Sequence, residues 1–92
     1  MLSGASLGQN IPNPFNNTTS INYTLPQSHN GETSAKIIIT DKAGKVLKEI
    51  NVSGSGKGSV SVDASTLAGG AYNYSLFVAG KMIDTKQMVI AR

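Results

Sequence analysis

Hydrophobic and polar positions alternate along most of this chain, and the period is two residues, with no helical repeat. Between Thr19 and Leu25, Ile21, Tyr23 and Leu25 fall on one side and Asn22 and Thr24 on the other, the pattern of a strand with one face in a core and one in water. Pro26 ends it, because proline brings no backbone N–H to a ladder. Ala35 to Thr40 is β-branched and nearly continuous through Ile37, Ile38 and Ile39, which suits a strand covered on both faces or one near the domain centre. Asp41-Lys42-Ala43-Gly44 then reads as a turn with Gly44 taking positive φ, and Lys45 to Val52 returns as the partner strand of a hairpin.

The second half repeats the pattern. Ser53 to Gly58 is rich in glycine and serine and reads as a loop, and Ser59 to Asp63 as a strand pointing Val60 and Val62 one way. In the connection from Ala64 to Gly70, Leu67 is expected to anchor inward and Gly69-Gly70 to allow a sharp turn. Ala71 to Ala79 sets Tyr72, Tyr74, Leu76 and Val78 against Ala71, Asn73, Ser75 and Phe77. Gly80-Lys81 is expected to close a hairpin into Met82 to Ala91, with Met88, Val89 and Ile90 as the last apolar run and Met82 and Met88 as core fillers. At the start, Leu7 to Ile11 predicts a short strand ended by Pro12, and Pro12 with Pro14 demands an edge or a corner. The count of about seven short, mostly antiparallel strands predicts an all-β fold, a two-sheet β-sandwich.

Composition narrows what such a fold does. With 92 residues and no cysteine, the chain has room for one modest core and neither disulfides nor thiolate metal ligands to reinforce it. The net charge of +3 comes from lysines scattered along the chain, whereas nucleic-acid binding wants basic residues clustered around aromatic platforms; no nucleic-acid partner is expected. No stretch approaches a membrane-spanning helix, and Met1 to Ser6 lacks the basic and apolar regions of a signal peptide. Residues 1–6 read as a linker, Met1 as a residue supplied for expression, and the whole as the tail piece of a longer polypeptide.

Catalytic chemistry finds little to use. The single histidine, His29, lies in the polar segment Gln27 to Ser34, and Glu32, Asp41, Glu49, Asp63 and Asp84 are far apart in sequence, so neither a Ser-His-acid relay nor a zinc site is indicated. Gly54-Ser55-Gly56-Lys57-Gly58-Ser59 resembles a phosphate-binding loop superficially. Asn51 stands where the first glycine is needed and Gly58 where a Ser or Thr should follow the lysine, and a strand rather than a helix comes next. The Asn-X-Ser/Thr triplets at Asn16, Asn17, Asn22, Asn51 and Asn73 are what chance yields in a chain this rich in those residues. Lys42, Lys45 and Lys48 either form a basic patch for an acidic glycan or lipid headgroup or protect an exposed strand edge from pairing. No enzyme activity, cofactor or metal is expected.

A resemblance adds what composition leaves open. Leu7-Gly8-Gln9-Asn10-Ile11-Pro12-Asn13-Pro14-Phe15-Asn16, followed by Thr18 to Pro26, resembles the opening of the type A C-terminal sorting domains of the type IX secretion system. Asp41-Lys42-Ala43-Gly44-Lys45-Val46 is similar to that family's central turn, Leu67-Ala68-Gly69-Gly70-Ala71-Tyr72 to its Leu-X-X-Gly-X-Tyr element, and Lys86-Gln87-Met88-Val89-Ile90 to its terminal strand. The chain ends in Arg92 where relatives usually end in lysine, keeping the cation but changing its chemistry. The resemblance covers residues 7–92 and implies an immunoglobulin-like sandwich at the end of a cargo protein from Bacteroidota. Such a cargo enters the periplasm by an ordinary signal peptide and is carried by an outer-membrane translocon to the medium or cell surface. There a surface peptidase often removes the domain or attaches the cargo to anionic lipopolysaccharide.

On that reading the candidate recognition residues are Pro12, Asn13, Pro14, Phe15, Gly70, Tyr72, Lys86, Met88, Val89 and Arg92. Each also has a purely architectural role open to it: the prolines as strand terminators, Gly70 as a turn, Tyr72 as core. A partner reading the terminal strand by adding a strand to its edge is one mode available. An adhesion or glycan-binding module of a surface protein is the alternative function.

Overall fold

The computed structural model describes residues 4–26, 34–52 and 56–91. His29 and the rest of the polar segment before Ser34, the start of the glycine-serine loop at Ser53 to Ser55, and Arg92 lie outside the described residues. Seven strands are present: β1 (Ser6–Leu7), β2 (Thr18–Leu25), β3 (Ala35–Thr40), β4 (Val46–Val52), β5 (Gly56–Asp63), β6 (Gly70–Val78) and β7 (Lys81–Ile90). They form a three-stranded sheet, β1-β2-β5, and a four-stranded sheet, β4-β3-β6-β7, with every strand pair antiparallel. The all-β sandwich read from the alternation is the fold.

The alternation places the core between the sheets. Ile21 and Leu25 of β2, Ile37 and Ile39 of β3, Val62 of β5, Tyr74, Leu76 and Val78 of β6, and Met88 and Ile90 of β7 are buried, and Phe15 closes one end. Each large apolar side chain so buried stabilises by about 1.5–3 kcal/mol. β3 runs between β4 and β6. Its isoleucine run resolves into a strict alternation, with Ile37 and Ile39 buried and Ile38 half-exposed on the outer face, so its central position, not burial on both faces, explains the sequence.

Several expectations need correction. β1 stops at Leu7 instead of running to Ile11. Leu7 pairs with Tyr23 and Ile11 bridges Ser20, so four steps on one side match three on the other. The extra residue is a bulge, and it turns Asn10 inward while leaving Ile11 65% exposed. Gly56 to Gly58 belongs to β5, because the β2 ladder extends as far as Leu25 opposite Gly56. The β6–β7 turn is Ala79-Gly80, not Gly80-Lys81; both turn residues have positive φ, 51° and 81°, the geometry whose twist suits a two-residue hairpin. Met82 is 59% exposed while Met88 is fully buried. The register of β7 against β6 shifts between Leu76 and Phe77, leaving Met82 opposite the outward-facing Phe77.

Candidate functional site

Three of the segments singled out in the sequence meet at one pole of the sandwich. After Ile11 the chain passes the peptide bonds to Pro12 and Pro14, both cis, and turns a corner that drops Phe15 into the core at 3% exposure. Phe15 then pairs in parallel with Ile90: its N–H donates to the Val89 carbonyl at 3.0 Å, and its carbonyl accepts from the Ala91 N–H at 2.7 Å. Ile90 is in turn the register partner of Gly70, and Met88 of Tyr72. The proline corner, the start of β6 and the end of β7 therefore lie side by side.

The corner is held by a buried polar network. The Asn10 N–H donates to the Tyr74 hydroxyl at 2.7 Å, and that hydroxyl donates to the Gly8 carbonyl at 2.8 Å. The Asn10 side-chain amide reaches the Pro12 carbonyl and Thr19 Oγ1, both at 3.1 Å, and the Thr19 hydroxyl donates to the Pro12 carbonyl at 2.9 Å. Asn10 and Thr19 are each 1% exposed. Among the described residues no buried side-chain nitrogen or oxygen lacks a partner, as a buried polar cluster requires if it is not to destabilise the fold.

The central turn faces the same pole. Asp41 Oδ1 accepts from the N–H groups of Ala43 and Lys45, each at 2.9 Å, while the Gly44 N–H bonds the Asp41 carbonyl at 3.1 Å. Gly44 has φ 90°, the positive value expected of it. Across an open hollow of about 390 Å³, Asp41, Lys42 and Ala43 look onto Gly69 to Tyr72. Gly70 has φ 146°, and a side chain there would meet nothing within 4 Å of its Cβ, so the backbone conformation, not crowding, demands glycine there. The half-buried Tyr72 donates its hydroxyl to the Ala68 carbonyl at 2.6 Å, and Leu67 packs against the core edge as expected.

Of the candidate residues, Pro12, Asn13 and Pro14 are exposed at the corner, Phe15 and Met88 are buried beneath it, and Gly70, Tyr72 and Val89 line the adjoining strands. Lys86 stands apart, opposite Tyr74 in mid-sheet, with its ammonium 3.7 Å from Asp84 Oδ2. Sequence reasoning passed over Gln9, Asn10, Thr19 and Tyr74 as parts of this site; the bonds that bring Gln9, Asn10 and Tyr74 into it link positions 64 to 78 residues apart and leave no local period. The outer edge of β7 from Gln87 to Ala91 is already occupied by Gln9, Asn13 and Phe15.

The opposite pole is where the chain enters. Ser6 pairs with Thr24 near the end of β2, four residues along that strand from Ser20, which Ile11 bridges just before the proline corner, a separation of about 13 Å at 3.3 Å per residue. A larger hollow of about 490 Å³ opens on the outer face there, between Ser6, Gly8, Asn22, Thr24, Lys57 and Ser59. No group of three or more His, Cys, Asp or Glu side chains able to hold a metal ion occurs among the described residues. On the β4–β5 side, Lys48 donates to the Asp63 carbonyl at 2.9 Å, placing one of the three lysines of the suspected basic patch against an edge strand.

No curated protein and no solved structure matches the chain. The family model described as secretion system C-terminal sorting domain matches residues 10–91, a span that contains the proline corner, the central turn, the start of β6 and all but the last residue of the terminal segment. The chain thus belongs to the family of C-terminal sorting domains that mark proteins for export by the type IX secretion system to the cell surface or the medium.

Proposed function

We propose that residues 7–92 act as a non-enzymatic address, with residues 1–6 as the linker to an upstream cargo domain, and that the translocon reads the pole built by Pro12 to Phe15, Gly70 to Tyr72 and Met88 to Ala91. The observation that carries this is the convergence of segments distant in sequence on one pole of the sandwich. A cargo joined before Ser6 leaves that pole clear of its own bulk. The same polarity favours removal of the domain, or attachment of the cargo, by a surface peptidase acting near exposed Gly4. Nothing in the fold or the family match supports the adhesion alternative.

The test is a fusion of this chain behind a signal peptide and a reporter in a strain with a working type IX system. Reporter on the surface or in the medium is the expected result, with loss of export when Gly70 and Tyr72 are replaced together by residues that keep the domain folded. Periplasmic retention of the unaltered fusion overturns the reading.

A further inference from the structure

β7 is the last strand of its sheet, and a terminal edge ordinarily presents a row of unpaired backbone groups on which another strand can add. From Gln87 onward, four backbone groups of this edge are bonded by the chain's own start. The Gln87 carbonyl accepts from Gln9 Nε2 at 2.7 Å, and the Val89 N–H donates to Asn13 Oδ1 at 2.9 Å. The Val89 carbonyl and Ala91 N–H are taken by Phe15. Gln87, Val89 and Ala91 are alternate residues, so these are the groups that point away from β6.

The two kinds of contact differ in what else they do. Phe15 is buried and serves the core. Gln9 and Asn13 are exposed; apart from the bond of Gln9 to Asn10 Oδ1 at 2.7 Å, the bonds found for their side chains reach only the edge of the terminal strand. Side-chain amides carry the same donor and acceptor as a peptide group, and here they stand where a neighbouring strand's peptides would stand.

We propose that Gln9 and Asn13 are positioning residues of the sorting signal. They hold the outer edge of residues 87–91 shut, so the export apparatus reads the terminal strand through outward side chains and the adjoining pole, not by adding a strand to its backbone. This rests on the sorting reading above and specifies the mode of contact.

Two measurements on Asn13 variants test it. In Asn13→Ala the Val89 amide loses its acceptor, and its hydrogen exchange quickens about five- to tenfold, the factor a hydrogen bond of ordinary strength represents. Export of the reporter fusion falls severalfold with little change in melting temperature. Asn13→Asp keeps an acceptor and restores both. Unchanged Val89 exchange in Asn13→Ala overturns the proposal, and so does export equal to or above that of the unaltered domain once exchange has quickened, since an open edge would then be harmless or preferred. Retention of the unaltered fusion in the periplasm instead sinks the sorting reading, and this inference with it.

Discussion

The backbone N–H of Asn10 donates a 2.7 Å hydrogen bond to the hydroxyl of Tyr74, and that hydroxyl passes its own proton toward the Gly8 carbonyl at 2.8 Å. One phenol thereby ties the bulged start of the chain to the middle of β6. Tyr74→Phe keeps the ring but leaves both backbone groups without their partner, and a buried group left unpaired costs about 1–3 kcal/mol. Urea denaturation at neutral pH is expected to show a lower midpoint with an unchanged slope.

The same hydroxyl makes stability depend on alkaline pH. Burial raises the Tyr74 pKa above its ordinary 10.0; the Asn10 N–H, which favours the phenolate, opposes this, and Asp84 adds to the rise. The unfolded chain therefore loses this proton at lower pH than the folded one, so stability is intact below about 10 and falls as pH climbs through the folded value. Denaturation midpoints between pH 9 and 12 check this, with Tyr74→Phe losing that part of the slope. An identical slope in the variant rules it out.

Phe15 joins the core to the terminal edge. Phe15→Ala removes a ring buried to 3% exposure, which typically costs about 3–5 kcal/mol, a large fraction of the stability of a small domain. Phe15→Leu is expected to cost much less and to keep the bridge to Val89 and Ala91. If the two variants melt together, the ring is not packed as described.

Gly58 lies directly opposite Tyr23 in the β2–β5 ladder. A Cβ at that position would come within 2.5 Å of the Tyr23 ring, so Gly58→Ala forces the half-buried ring aside and is expected to destabilise by about 1–3 kcal/mol. Adding Tyr23→Ala relieves the clash, and a double-mutant cycle should return a coupling of similar size and opposite sign.

Ala79 is the only described non-glycine residue with positive φ, a conformation costing an ordinary side chain about 1 kcal/mol. Ala79→Asn makes the turn Asn-Gly, the pair this hairpin geometry favours. A rise in stability of about 0.5–1 kcal/mol in thermal denaturation is expected, with export unaltered because the turn lies at the pole opposite the proline corner.

How far the sequence alone reached is clearest in β2 and β6. Their alternation named Ile21, Leu25, Tyr74, Leu76 and Val78 as one-faced, and all are buried. The Asp41–Gly44 turn was legible for the same reason: its bonds join neighbours, so the residue types report them directly. Period and turn chemistry are local, and they were enough for the all-β sandwich. The order of motifs along the chain was likewise enough for the family.

What the tertiary structure decided is how those pieces meet. The bulge that buries Asn10 and exposes Ile11, the register shift that puts Met82 outside, and the choice of Ala79-Gly80 as the turn each depend on how one strand aligns with another, and a slip of one residue reverses every face that follows. The closure of the β7 edge by Gln9, Asn13 and Phe15 depends on it further, because those bonds cross almost the whole chain. No local pattern encodes a hydrogen bond whose two ends are brought together only when both sheets have formed.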